Sequence, residues 1–150
     1  MKLGIASDHR GFKLKEELIN KLKDLGYSII DYGTNSEESC DYPDYAYLLG
    51  KGIKNKEIDF GIAICGSGIG ISIALNKIKG IYCAKVDNAH DAYYTRCDNN
   101  TNCVSFSSLK NIDEALEIVE TFINTDFSNL EKHQRRINKV KLIENEEYYA

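Results

Sequence analysis

A cysteine followed by a glycine-rich turn is the part of the sequence best suited to chemistry. Cys65 ends an apolar run, and the segment CGSGIG places glycines at 66, 68 and 70 with Ser67 among them. Glycines let backbone N–H groups approach a ligand closely, and the helix that follows adds positive potential at its first turn. These features also stabilise a thiolate, so Cys65 is a candidate base or nucleophile beside a cradle for an oxyanion.

Two phosphate-binding motifs do not fit this turn, and one structural interpretation stays open. A dinucleotide fingerprint needs GxGxxG after the first strand, whereas here the third glycine comes one place early and follows the third strand. The P-loop pattern GxxxxGKS/T is absent from the sequence. On this stretch alone, a tight turn after a buried structural cysteine is an equally good interpretation, because cysteine is often a small core hydrophobe.

Two further polar segments lie where they could serve the same site. Asp8 and His9 follow the first predicted strand, and such a pair is harder to dismiss as structural than a lone histidine. The segment DYPDY adds carboxylates and aromatic rings before a predicted helix. Pro43 is typical of the first turn of a helix, which favours a structural role for Asp44 and Tyr45.

A basic segment near the C-terminus, KHQRRINKVK at 132–141, holds five lysines and arginines and no acidic residue. Lys132 and Arg136 are four residues apart and therefore share one face of the predicted last helix. A solvated basic face is the usual role of such a segment. The functional interpretation is a phosphate clamp offered to a neighbouring subunit, and the residues alone leave both open.

Short apolar runs alternate with helical patterns along the chain, which predicts a parallel sheet covered by helices on both faces. The predicted fold is α/β, a Rossmann-like three-layer α/β/α sandwich whose five strands follow the order 2-1-3-4-5. Ligands of such sheets bind beyond the carboxyl ends of the strands, so a pocket is expected between the first and third strands. Strands are predicted at 2–7, 28–32, 59–65, 81–86 and 103–107, and helices at 12–25, 45–54, 69–76, 89–97, after the N-cap Asn111, and at 129–146.

Composition excludes several classes of protein. The 150 residues suit one domain, and 43% hydrophobic with 28% charged residues is ordinary for a soluble protein. A net charge of −4 argues against non-specific binding to nucleic acid or anionic membranes. No apolar run is long enough to span a bilayer. Five cysteines without a CxxC pair argue against a disulfide framework and a structural zinc site, so a cytoplasmic location is expected.

One set of segments matches a known family in order and spacing: SDHRGFKLKEEL, DYGT, DYPDYA, CGSGIGISIALNK, NNTN and HQRRI. The sequence thereby resembles the sugar-phosphate isomerases that include ribose-5-phosphate isomerase B and the galactose-6-phosphate isomerase subunits. The resemblance covers nearly the whole chain and implies one isomerase domain over 1–150. It implies an aldose–ketose isomerase without metal or cofactor, which interconverts ribose 5-phosphate and ribulose 5-phosphate in the non-oxidative pentose phosphate pathway.

The resemblance also implies roles for single residues. Cys65 would move the proton between C1 and C2 through an enediolate, and Ser67 with its glycine neighbours would hold the enediolate oxygens. Asp98 occupies the position where the family commonly has a ring-opening histidine. The implied substrate-binding residues are Asp8, His9, Tyr42, Gly66, Ser67, Gly68, Ile69, Gly70, Asn99, Lys132 and Arg136.

Three positions depart from the family pattern, namely Asp98, Leu109 in place of an arginine, and Lys132 in place of an arginine. Lysine keeps the positive charge but loses the bidentate fork of arginine. Two alternatives therefore stand beside the ribose phosphate reaction: isomerisation of allose or galactose 6-phosphate, and a weakly catalytic sugar-phosphate binding protein. A homodimer or tetramer with the active site between subunits is expected.

Overall fold

The computed structural model describes residues 1–149, in which five strands and six helices alternate. The strands are β1 (Lys2–Ser7), β2 (Ser28–Asp31), β3 (Phe60–Cys65), β4 (Cys83–Lys85) and β5 (Cys103–Ser107). The helices are α1 (Phe12–Asp24), α2 (Tyr42–Lys54), α3 (Ile69–Asn76), α4 (Ala89–Asn99), α5 (Ile112–Asn124) and α6 (Glu131–Glu144). The predicted α/β class is confirmed.

All four strand pairings are parallel, but the order of the strands is β2-β1-β3-β5-β4. The predicted order 2-1-3-4-5 is therefore wrong at its last two places. β5 has four buried residues of five and pairs on both sides, whereas β4 has three half-buried residues and pairs on one side only. The more apolar strand takes the inner place, because a central strand loses solvent on both of its faces and both of its edges.

Helices cover both faces of the sheet. On one face α1, α4 and α5 bury their apolar side chains against Ile5, Ile62 and Phe106. On the other face α2 and α3 pack against Ala6, Ala63 and Cys65. Side chains of β1 and β3 thus alternate between two cores, as the two-residue period of a strand requires.

Local signals in the sequence account for several helix boundaries. The Asn111 side-chain oxygen accepts a hydrogen bond from the Glu114 N–H, and the Glu114 carboxylate accepts one from the Asn111 N–H, so the predicted capping box is confirmed. Helix α2 begins at Tyr42 rather than at 45, with Pro43 in its first turn, where the missing N–H costs nothing. Helix α3 covers 69–76, as predicted.

Helix α6 differs from the other helices because none of its residues is buried. Polar contacts hold it against the rest of the chain at both ends. Near its start the His133 ring meets Asp98 of α4, and at its end the Glu144 carboxylate accepts hydrogen bonds from the Gly80 N–H and the Tyr82 hydroxyl. Burial and this carboxylate raise the pKa of Tyr82 to about 12. Polar pairs, not an apolar core, therefore fix its orientation.

Candidate active site

Cys65 lies at the carboxyl end of the central strand β3, with its side chain 4% exposed. Its Sγ accepts a hydrogen bond from the Gly68 N–H, with 3.1 Å between sulfur and nitrogen. Ser67 Oγ accepts another from the Ile69 N–H at 3.1 Å, at the first turn of α3. The backbone N–H aimed at the sulfur is a donor placed to stabilise negative charge on that atom during a reaction.

The turn after Cys65 depends on glycine at position 68. Gly68 has φ of +78°, in the left-handed region, and a Cβ there would lie 2.7 Å from the Phe106 carbonyl carbon. Any larger residue at position 68 would both strain the backbone and collide with the β5 backbone. The glycine therefore allows the turn to lie directly on the neighbouring strand.

Two serines of β5 hold the same turn from the sheet side. Ser107 Oγ donates to the Gly66 carbonyl at 2.7 Å, and Ser105 Oγ donates to the Gly68 carbonyl at 2.8 Å. Sequence reasoning missed both of them. Their signal was the alternation in the strand SFS, which puts two hydroxyls on one face.

Asp8 and His9 flank this turn at the end of β1. Asp8 is 6% exposed, and its Oδ1 accepts hydrogen bonds from the Arg10 and Gly11 N–H groups at 3.0 and 3.1 Å. Its carboxylate thus shapes the entry into α1. His9 Nδ1 accepts a hydrogen bond from the Cys40 N–H at 3.3 Å, which orients the imidazole from the loop before α2.

Tyr42 and Arg10 pack directly on the glycines of the turn. A Cβ on Gly70 would lie 2.8 Å from Cζ of Tyr42, and a Cβ on Gly66 would lie 2.7 Å from Nη1 of Arg10. Arg10, which sequence reasoning did not single out, therefore brings a guanidinium to the cysteine turn. We call the set of Asp8, His9, Tyr42, Cys65 and residues 66–70 the cysteine half-site.

A second group of the predicted residues lines a cavity of about 410 Å³ between α4 and α6. Asp98 and Asn99 come from the end of α4, and His133 and Arg136 from α6. We call this the α4–α6 cavity. Lys132 is exposed on α6 and is not among the residues that line it.

The two groups lie at opposite ends of the sheet. Cys65 pairs with Ser107 at the carboxyl end of β5, while Asp98 and Thr101 precede Cys103 at its amino end. Four residues at a rise of about 3.3 Å separate the two levels by roughly 13 Å along the strand. One chain therefore does not bring Asp98, Asn99 or Arg136 to Cys65.

The remaining predicted position, Leu109, is 90% exposed just beyond β5. It lies at the cysteine end of the sheet, since Ser107 Oγ accepts a hydrogen bond from its N–H. An apolar side chain here supplies no charge to a ligand.

Within residues 1–149 no helix is long and apolar enough to cross a membrane. The same range contains no cluster of three or more His, Cys, Asp or Glu side chains that could hold a metal ion.

Comparison with known proteins gives one consistent family. Residues 3–140 match the family model described as Ribose/Galactose Isomerase. Ribose-5-phosphate isomerase B of Escherichia coli is 37% identical over 144 residues, which is 95% of this chain and 96% of that protein. The structure of ribose-5-phosphate isomerase B from Clostridium thermocellum has a TM-score of 0.94 at 41% identity, covering 99% of this chain and all of that chain.

A third relative was solved with a ligand. The Mycoplasma genitalium ribose-5-phosphate isomerase B, with bound ribulose 5-phosphate, has a TM-score of 0.89 at 37% identity and covers 97% of both chains. The match in fold and length extends over both the cysteine half-site and the α4–α6 cavity.

Proposed function

We propose, from the premise that the chain belongs to the Ribose/Galactose Isomerase family, that it interconverts ribose 5-phosphate and ribulose 5-phosphate. The chain is an aldose–ketose isomerase of a sugar phosphate. The pentose is proposed because the named relatives are ribose-5-phosphate isomerases. The observation that carries the chemistry is the Cys65 sulfur, 3.1 Å from a backbone N–H donor at the mouth of a helix.

In the proposed mechanism the Cys65 thiolate removes the proton from C2 of the open-chain aldose. The electrons of that C–H bond form the C1–C2 double bond, and negative charge moves to the carbonyl oxygen at C1, which gives a cis-enediolate. Donors in the 66–70 turn stabilise this oxyanion, and Ser67 Oγ is placed beside them. The proton on O2 then passes to O1, which leaves the negative charge on O2. The O2 electrons form the ketose carbonyl at C2 while the C1–C2 double-bond pair takes the proton back from the same sulfur at C1, and the thiolate is restored.

A complete site needs two copies of the chain in this proposal. The cysteine half-site holds the reacting carbons, and the α4–α6 cavity of a second copy supplies Asn99 and the phosphate-binding Arg136. Lys132, exposed one helical turn before Arg136, adds charge at the entrance. We propose a homodimer, or a tetramer of two such dimers, working in the non-oxidative pentose phosphate pathway of the cytoplasm.

A six-carbon aldose phosphate is the second candidate substrate. The observation that favours it is the exposed Leu109 at the cysteine end of the sheet. Leucine is shorter than the arginine of the family pattern and carries no charge, which leaves room for a longer sugar. Allose 6-phosphate and galactose 6-phosphate would use the same Cys65 chemistry.

The experiment is a substrate panel combined with subunit mixing. Ribose 5-phosphate should give the highest kcat/KM among ribose, allose and galactose phosphates, and a higher value for a hexose would reassign the substrate. At ribose 5-phosphate well below the parent KM, where the Cys65→Ala and Arg136→Ala proteins are each strongly impaired, joint refolding of the two chains should recover about a quarter of parent activity, because half of the chains form mixed dimers with one intact site each. Mixtures that stay as inactive as the separate variants would contradict the shared site.

A further inference from the structure

His133 is the group in the α4–α6 cavity for which the residue types alone suggested no role. It lies one turn before Arg136 on α6 and its side chain is 12% exposed. Its Nε2 lies 3.6 Å from Oδ1 of Asp98, whose side chain is 40% exposed. The imidazole therefore sits behind a more open carboxylate, with both groups lining one cavity.

The other ring nitrogen of His133 is held in place. Nδ1 is 2.6 Å from Ser128 Oγ, which also accepts a hydrogen bond from the Leu130 N–H at 3.2 Å. If Nδ1–H donates to this hydroxyl oxygen, it stays protonated in both charge states of the ring. Nε2, which faces Asp98, is then the nitrogen that gains and loses a proton.

We infer that His133 and Asp98 together open the sugar ring. This inference rests on the proposed function, because the proton transfer at C2 needs an open-chain aldose, whereas pentose phosphates exist mainly as furanoses. A lone carboxylate is ionised near neutral pH and is a poor proton donor to the ring oxygen. An imidazole titrates in the neutral range and supplies the missing acid.

The ring-opening step is balanced within the pair. Imidazolium Nε2–H gives its proton to the ring oxygen O4 as the C1–O4 bond breaks. The Asp98 carboxylate takes the proton from the anomeric hydroxyl, and the O1–H electrons form the C1=O1 bond. The pair is left as neutral imidazole and carboxylic acid, and transfer of one proton from Asp98 to Nε2 restores it.

The side chains that line the cavity around the His133–Asp98 pair are compatible with this role. Arg136 lines the same cavity from the next turn of α6, while Tyr82 and Cys83 line it from the strand side and Thr95 from α4. A phosphate held by Arg136 keeps the sugar within the cavity that contains both proton-transfer groups. The alternative is a structural role, in which His133 only ties α6 to Ser128 and Asp98.

The test compares two substrates in the same variant. In His133→Asn the side-chain amide can keep the bond to Ser128 but has no proton to exchange at neutral pH. The substrates are ribose 5-phosphate and 4-deoxyribose 5-phosphate, which lacks the hydroxyl that closes the furanose and so needs no ring opening. His90→Asn, an exposed histidine on the first turn of α4, is the matched control.

We expect His133→Asn to lower kcat/KM for ribose 5-phosphate by at least about tenfold, as loss of a general acid does. Its kcat/KM for 4-deoxyribose 5-phosphate should stay within twofold of the parent, and His90→Asn should leave both values unchanged.

An equal loss on both substrates would overturn the inference, because it would mean a structural or binding role for His133. Unchanged ribose activity in His133→Asn would overturn it as well. A parent protein that isomerises neither pentose substrate would instead contradict the proposed function. The first two results would reject the ring-opening role of His133, and only the third would reject the proposed function.

Discussion

The cysteine half-site and the α4–α6 cavity are built in different ways. Cys65 and its turn are held by the central strand β3, by two serines of β5 and by a glycine that lies on the Phe106 backbone. The α4–α6 cavity depends on a helix without a buried residue, positioned by partly buried polar pairs. Buried backbone and buried hydroxyls hold the first region from several sides, whereas a helix on the surface of the chain forms one wall of the second.

This difference corresponds to a difference in chemical task. Proton transfer between C1 and C2 requires donors fixed at an oxyanion, and fixed donors come from buried backbone. Phosphate binding uses arginine and lysine, whose charged groups reach the ligand on long flexible stems. The three departures from the family pattern, at 98, 109 and 132, all lie outside the cysteine turn. In the proposed mechanism, the step that needs fixed donors therefore uses the part of the site that buried backbone holds in place.

The largest effect is expected from Cys65→Ala. We expect kcat to fall by about 10²- to 10⁴-fold, the usual range for loss of a general base. The cavity left by one sulfur is small, so thermal unfolding should shift little. Cys97→Ala, at a half-buried cysteine of α4 outside the cysteine half-site, is the control and should retain parent activity. A Cys65→Ala enzyme with near-parent turnover would assign the base elsewhere.

The second prediction tests the α4–α6 cavity. Arg136→Ala should raise KM for ribose 5-phosphate by about 10- to 150-fold, which corresponds to loss of a charged hydrogen bond of about 1.5–3 kcal/mol. Arg135→Ala is its matched control, because Arg135 already pairs with Glu131 at 2.7 Å. Steady-state kinetics on both variants separate the two positions. Equal KM changes would indicate a general loss of positive charge rather than a specific contact.

The third prediction measures the rigidity of the cysteine turn. Gly68→Ala should lower the free energy of unfolding by about 1–3 kcal/mol, because alanine meets both positive φ and the Phe106 backbone. Gly80→Ala is the control, since Gly80 also has positive φ, +85°, but nothing lies within 4 Å of its Cβ position. Urea unfolding should give a smaller loss for Gly80→Ala. Equal losses would mean that the close approach to β5 contributes nothing.

The smallest effect is expected at the C-terminal attachment of α6. Tyr82→Phe removes the hydrogen bond to Glu144 and should lower stability by about 0.5–1.5 kcal/mol. The pKa of Tyr82 is raised from 10.0 to about 12 in the folded state. The stabilisation is therefore complete below pH 10 and is lost as the pH rises through 12.

Unfolding measured across this pH window should show a steeper fall for the parent than for Tyr82→Phe. Tyr32→Phe is the control, because Tyr32 has a similar bond to Glu57 and its pKa is also raised to about 12, but it lies far from α6. Only Tyr82→Phe should also raise KM, through the misplaced Arg136. A KM change of the same size in both variants would mean that the Tyr82–Glu144 bond does not act on phosphate binding through the position of α6.

The sequence by itself determined the features that depend on near neighbours. The alternation of strands and helices, the capping box at Asn111 and the bounds of α3 follow from local propensities and hydrogen bonds within a few residues. The cysteine turn could also be predicted, because its glycines, serine and cysteine are contiguous and belong to one strand-to-helix connection.

Only the tertiary structure decided which distant segments meet. The connection from β3 to β4 and the one from β4 to β5 each contain a helix, so chain order allows either β4 or β5 to pair with β3. The choice depends on how much apolar surface each of the two strands buries. The meeting of His133 with Asp98, and the serines of β5 with the Cys65 turn, depend on packing across many residues. The position of His133 and Arg136 in the α4–α6 cavity has the same origin, because α6 follows the last strand and no strand register fixes where it packs.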